Sequence, residues 1–224
     1  MSSQRVPGKV LHKVSGKPIL QYLLERLKRR HSVALLIVAT SDDPSDDPIA
    51  EFCARRNTDC YRGSLEDVAG RFRDVVVHYN LDWFIRINGD SPLFDPELVQ
   101  KVVEIYNRND VDLVTNTIVR SYPRGQSIEA VSSSCFLKTY SKFELPEDYE
   151  HVTRYFYRHA GDLKIWNFES GEDCGDESLA VDTLEDVESL EAIVEAMGRP
   201  QWTYGWEELL EIKRKLSAKA EVDG

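Results

Sequence analysis

The sequence predicts a doubly wound α/β protein: a mostly parallel sheet with helices on both faces. Three observations carry this expectation. Short apolar runs alternate with stretches of helical periodicity over residues 17–115. The runs are apolar throughout, as strands covered on both faces must be. Polar and acidic residues follow the strand ends at once, where open α/β sheets bind their ligands.

Residues 17–30 place Ile19, Leu20, Leu23, Leu24 and Leu27 on one helical stripe, and Lys28, Arg29 and Arg30 complement the C-terminal end of the helix dipole. Residues 33–39 form a short apolar strand. Asp46-Asp47-Pro48 caps a helix reaching about Arg56, with proline near its first turn. Residues 58–61 make a short strand, and Gly63-Ser64 leads into a helix over 65–79. A strand at 82–87, a helix at 96–107 and a strand at 111–115 continue the alternation.

The alternation breaks after Asn116. Residues 118–133 are polar, carry Pro123 and Gly125, and predict an inserted excursion or hairpin. Helices near 134–141 and 149–159, a strand at 163–168 and a short strand at 179–181 follow. A helix over 184–197 is ended by Gly198 and Pro200. Residues 1–198 are thus expected to form one domain, with 118–160 as its insertion. Residues 199–224 form a C-terminal helical extension in which Trp202 and Trp206 are packing anchors.

Composition narrows the function. The 224 residues carry 28 basic and 39 acidic side chains, a formal charge of −11, which argues against a nucleic-acid binder needing a basic face. No run approaches the roughly 18 apolar residues of a membrane span, and the N-terminus lacks a signal-peptide core, so no membrane insertion is expected. Cys53, Cys60, Cys135 and Cys174 show no CxxC pairing, which fits reduced thiols in a cytoplasm and no zinc site.

Two acidic residues stand at predicted strand ends. Asp90 lies in Asn88-Gly89-Asp90-Ser91-Pro92-Leu93, and Asp182 follows the short strand at 179–181. Parallel strands can bring both tips to one crevice, where two carboxylates and phosphate oxygens would suit Mg²⁺. Either aspartate alone can equally be a helix or turn cap. The segment Ser2-Ser3-Gln4-Arg5-Val6-Pro7-Gly8-Lys9 offers backbone N–H groups and two cations for a triphosphate, although the Walker A spacing is absent. By itself it also reads as a basic N-terminal tail.

Taken in order, these motifs resemble a known family. Arg5-Val6-Pro7-Gly8-Lys9, Ala39-Thr40-Ser41-Asp42, Gly89-Asp90-Ser91-Pro92-Leu93 and Val181-Asp182-Thr183-Leu184-Glu185-Asp186 are similar to the sugar cytidylyltransferases, which include the CMP-KDO and acylneuraminate synthetases. Arg62-Gly63-Ser64-Leu65-Glu66-Asp67-Val68, Tyr122-Pro123-Arg124-Gly125 and Glu150-His151-Val152-Thr153 resemble the branch named after spore coat polysaccharide biosynthesis protein F. The likeness runs to about Ala196.

The resemblance implies a Rossmann-like sheet of the nucleotide-diphospho-sugar transferase type and CMP transfer from CTP to an acidic, 2-keto acid sugar. Pyrophosphate would leave, for cell-surface glycan synthesis. It places Ser2, Ser3, Arg5, Gly8 and Lys9 on the CTP phosphates, with Arg5 and Lys9 the catalytic cations. Thr40, Ser41, Asp42, Gly63, Ser64, Asn88 and Gly89 would line the rest of the nucleotide site. Asp90 and Asp182 would hold Mg²⁺, while Tyr122, Arg124, Glu129, His151 and Thr153 would face the sugar. Arg120, Arg124, His151 and Arg154 are candidate partners for the sugar carboxylate, though each arginine can be a solvated charge and His151 a hydrogen-bonded residue at a helix start. A homodimer is implied as well.

The chain departs from that pattern in two places. The family's loop follows a central apolar strand ending in a Gln-Ala-Arg-like tripeptide, whereas Met1 falls where the loop begins, so the first central strand is expected to be missing. Arg124-Gly125-Gln126-Ser127 stands where relatives carry acidic or apolar residues, which leaves the sugar open. Other enzymes of the same fold, a uridylyltransferase or a glycosyltransferase, and a catalytically impaired nucleotide-binding protein stay as alternatives.

Overall fold

The computed structural model describes residues 8–29 and 34–223. A one-turn 3-10 helix, Lys9–Leu11, leads into a minimal antiparallel hairpin of β1 (Lys13–Val14) and β2 (Lys17–Pro18). Ser15 and Gly16 at its tip both have positive φ, as two-residue hairpins require for their twist. The predicted first helix is α1 (Ile19–Lys28), with its leucine stripe buried. Arg26 lies inside that face, fully buried, and donates to the carbonyls of Phe94, Gln201 and Tyr204.

Next comes a parallel βαβ unit: β3 (Ile37–Ser41), α2 (Asp47–Arg55) and β4 (Asp59–Gly63). Ile37 stands opposite Asp59 and Ser41 opposite Gly63. Then follow α3 (Val68–His78), β5 (Trp83–Arg86), α4 (Glu97–Arg108) and β6 (Leu113–Thr115). The rest of the chain forms β7 (Glu129–Ser132), α5 (Ser133–Tyr140), α6 (Pro146–Glu150), α7 (Arg154–Arg158), β8 (Ile165–Asn167), α8 (Leu184–Glu195) and α9 (Trp206–Asp223). Among the described residues no helix is long and apolar enough to cross a membrane.

The larger sheet has the order β5-β7-β6-β8 and is mixed: β5, β6 and β8 run in one direction, as a mostly parallel sheet requires, and β7 runs against them. β7 runs antiparallel to both β5 and β6, and only β6 and β8 pair in parallel. The excursion at 118–133 therefore ends inside the sheet rather than as a surface hairpin. Its polarity is internal: Asn116 accepts from the Ile128 N–H and donates to the Gln126 carbonyl, while Gln126 accepts from the Asp95 N–H and donates to the Leu93 carbonyl. Buried amides here replace ladder bonds and satisfy the loop backbone.

Two further expectations are corrected. Residues 179–181 are not a strand; the stretch is held by a single bridge between Arg124 and Ser178 and by hydrogen bonds from Leu179 to Arg124 and from Val181 to Asp90. The helix expected over 149–159 is split into α6 and α7, because buried Val152 takes a φ of 51° between them. That left-handed conformation is unusual for a β-branched residue and breaks helical hydrogen bonding.

β3–β4 and the four-stranded sheet are separate among the described residues. Ile37, Val38 and Ala39 of β3 face β5 across an apolar cleft of about 410 Å³, floored by Leu20, Leu23 and Leu24 of α1. No described strand lies between the two edges. The C-terminal extension packs on the main core through Trp206, Leu209 and Leu210, and the Arg29 guanidinium lies 4.4 Å from the Trp202 ring centre.

Candidate active site

The strand ends β3 and β5 and the loop at residues 8–10 open onto one cleft of about 750 Å³, which Pro146 and Glu150 of α6 close on the far side. Gly8 takes a φ of 71°, a conformation glycine adopts without steric cost, and starts the turn that carries Lys9. The turn is fixed by the Leu11 N–H on the Gly8 carbonyl (2.9 Å) and the His12 N–H on the Lys9 carbonyl (3.0 Å).

From that turn Lys9 reaches two residues distant in sequence. Its Nζ donates to Asp90 Oδ2 at 2.8 Å, Asp182 Oδ1 at 3.1 Å and the Val181 carbonyl at 2.9 Å. Burial alone would favour the neutral amine, but hydrogen bonds and charge from Asp90 and Asp182 outweigh it and hold the ammonium above its usual range.

The backbone brings the aspartates together. The Val181 N–H donates to the Asp90 carbonyl at 3.0 Å. Asp186 Oδ2 then accepts from the N–H groups of Asp182 and Thr183, each at 2.8 Å, forming a capping box at the start of α8. Burial would raise the Asp186 carboxyl; these amide bonds hold it below its ordinary range. Gly125 lets the Asp182 segment approach closely, since a Cβ there would lie 2.7 Å from the Ala180 nitrogen.

Of the other expected nucleotide residues, Thr40 and Gly89 line this cleft, while Ser41, Asp42, Gly63, Ser64 and Asn88 are not part of its lining. Thr40 and Ser41 are buried with their hydroxyls on Asp46 Oδ2, at 2.7 and 2.6 Å, so neither presents a free donor. Asp42 is exposed, and its N–H donates to the Gly63 carbonyl. Ser64 accepts from the Asp67 N–H before α3, and exposed Asn88 accepts from the Ser91 N–H. Gly89 lines the cleft beside Asp90. Ser2, Ser3 and Arg5 lie outside the described residues.

The sugar-side residues divide sharply. Glu129 and Thr153 are buried: Glu129 accepts from Arg86 and Tyr157, and from the Thr153 hydroxyl at 2.7 Å. Tyr122 is not brought to the cleft; its ring packs against Phe168 and Trp206, and its hydroxyl meets Lys101. Arg124 and His151 are exposed, and Glu150 is the member of the Glu150-His151-Val152-Thr153 motif that lines the cleft.

Sequence reasoning missed Arg71 and Asp46. Arg71 lines the cleft with Lys9, and its buried Nε has no hydrogen-bond partner among the described residues. Gly63 leaves room for it, since a Cβ there would meet Arg71 Cγ at 2.9 Å. The signal was the helix period: Arg71 follows the cap Asp67 by one turn, on the face that packs back towards β4.

Two carboxylates, one in the loop after β5 and one at the start of α8, a lysine from a glycine turn and a second cation lining the same cleft define a site suited to a polyphosphate on an α/β sheet. Residues 1–199 match the cytidylyltransferase family, and the chain belongs to it: it is a CTP-dependent nucleotidyltransferase. The chain is 34% identical over 186 residues to the uncharacterized protein MJ1063 of Methanocaldococcus jannaschii, covering 82% of this chain and 75% of that protein. It is 30% identical over 205 residues to the spore coat polysaccharide biosynthesis protein SpsF of Bacillus subtilis, covering 88% and 84%. A solved cytidylyltransferase from Leptospira borgpetersenii serovar Hardjo-bovis superposes with a TM-score of 0.92 at 28% identity, over 97% of this chain and 92% of that one.

Proposed function

We propose that this enzyme transfers CMP from CTP to a hydroxyl of an acidic, 2-keto acid sugar in the cytoplasm, releasing pyrophosphate, for cell-surface polysaccharide synthesis. The observation that carries the reading is the meeting of Lys9 and Asp90, which line the cleft, with Asp182. The acidic sugar rests on the ordered motifs shared with the CMP-KDO and acylneuraminate synthetases.

The donor set fits Mg²⁺. Asp90 and Asp182 offer hard carboxylate oxygens, are 27% and 41% exposed, and already surround one positive charge. Mg²⁺ takes few protein carboxylates and completes its shell with water and phosphate oxygens. When bound, it supplies charge neutralisation at the phosphate and activation of the attacking hydroxyl. Lys9 and Arg71 neutralise the triphosphate and the departing pyrophosphate, with Arg5 a further cation. The turn at Gly8 and the Asp182 cap orient the reactants, and displacement in line at phosphorus needs no covalent enzyme intermediate. Exposed Ile118, Val119 and Trp166, beside the edge strand β8, support a homodimer.

The test is pyrophosphate release from CTP across a panel of 2-keto acid sugars, with UTP, GTP and ATP as competitors. Release with at least one acidic sugar, abolished by Asp90→Ala or Asp182→Ala, is expected. No release across the panel, with all four nucleotides bound equally, would overturn the reading.

A further inference from the structure

Lys9 stands where a bound divalent cation would have to be. Its ammonium has three N–H donors, and all three are engaged, by Asp90, Asp182 and the Val181 carbonyl. Saturated in this way, it has no donor left for a phosphate. The same two carboxylates cannot hold a divalent cation while the ammonium lies between them, because like charges repel most strongly where water is scarce.

The parts around it differ in freedom. Both aspartate backbones are fixed, Asp90 by the Val181 N–H and Asp182 by the Asp186 cap. The Lys9 backbone is fixed too, by its one-turn helix. Among the described residues that meet here, the four-carbon lysine stem is the part able to move the positive charge, and the open cleft gives it somewhere to go.

We infer that Lys9 is the resident counter-ion of the Asp90–Asp182 pair in the nucleotide-free enzyme: a divalent cation enters as Lys9 leaves, and the released ammonium passes to the triphosphate. This rests on the nucleotidyl-transfer reading of the same site. Metal and triphosphate then bind as a coupled pair, each removing the obstacle to the other, and the aspartates do not stand as an unpaired acidic pair between turnovers.

Mn²⁺ alone, titrated into nucleotide-free protein and followed by loss of the free-ion EPR signal, tests the exchange. Lys9→Gln is expected to bind Mn²⁺ about tenfold or more tightly than wild type, and Asp90→Asn to remove that gain. Equal or weaker binding by Lys9→Gln, with Asp90→Asn still lowering it, overturns the exchange and leaves nucleotidyl transfer standing. A titration that neither Asp90→Asn nor Asp182→Asn alters overturns the reading of the site as well.

Wild-type protein gives a second readout that no folding defect can confuse. The Lys9 side chain is 12% exposed, so amine acylation read by peptide mass spectrometry is expected to be slow without metal. It should become severalfold faster with Mn²⁺ alone and slow again when inorganic tripolyphosphate is added. Labelling of Lys9 that is indifferent to Mn²⁺ overturns the proposal.

Discussion

Two carboxylate clusters sit at the same end of the sheet and do opposite things. Glu129 is 4% exposed and takes hydrogen bonds from Arg86, Thr153 and Tyr157, so its lone pairs are spent on braces between β5, β7 and α7. Burial and then the Glu129 charge push the Tyr157 phenol up, so its proton stays in that bond. Asp90 and Asp182 are partly exposed, and the partner they share is the end of a flexible side chain. A carboxylate saturated by fixed donors stabilises the fold; one held by a removable cation stays available to a ligand.

Substitutions can break this contrast. The largest expected effect is on turnover: Asp90→Asn or Asp182→Asn should lower kcat by about 10²–10³-fold, with thermal melting little changed. Melting that collapses in step would move these residues to the bracing class. Glu129→Ala should do the reverse, costing about 3–5 kcal/mol of unfolding free energy because Arg86 loses its buried partner. Denaturant unfolding measures this, and a loss below 1 kcal/mol would deny the brace.

Smaller effects sharpen it. Arg71→Met should raise the KM for CTP by about tenfold with a lesser change in kcat, if this cation serves phosphate binding. Asp46 gives a pH signature. Burial would raise its carboxyl, but hydrogen bonds, those from Ser41 and Thr40 among them, hold it below the ordinary 3.8. A depressed carboxyl stabilises the fold fully above its unfolded pKa and loses that contribution as pH falls through the folded value. The stability gap between wild type and Asp46→Asn should therefore be widest near neutrality and shrink below about pH 4. A gap that grows on acidification would contradict the assignment.

Much of the site was legible because strand ends are. A carboxylate soon after a short apolar run points to the ligand edge of the sheet, which pairs Asp90 and Asp182 from 92 residues apart; Asp90 does follow β5, whereas Asp182 follows an extended stretch hydrogen-bonded to the Asp90 carbonyl instead of a strand. The break after Asn116 was legible too, but its outcome was not. β7 is only Glu129–Ser132 and its lead-in is polar, so nothing in the pattern separates a central antiparallel strand from a surface hairpin; buried Asn116 and Gln126 decide it. The split between α6 and α7 rests on one strained residue, Val152, whose β-branched type argues the other way. Arg26, in the middle of a leucine stripe, gives no sign of being fully buried, because its three carbonyl partners come from distant segments.

The most direct test of the central claim is a crystal structure with CTP and Mn²⁺, with the ion located by its anomalous signal. The ion should lie on oxygens of both Asp90 and Asp182, with the Lys9 ammonium moved onto the triphosphate and Arg71 facing the same phosphates. An ion and nucleotide on another face of the molecule, with Lys9 still bridging the two aspartates, would contradict it.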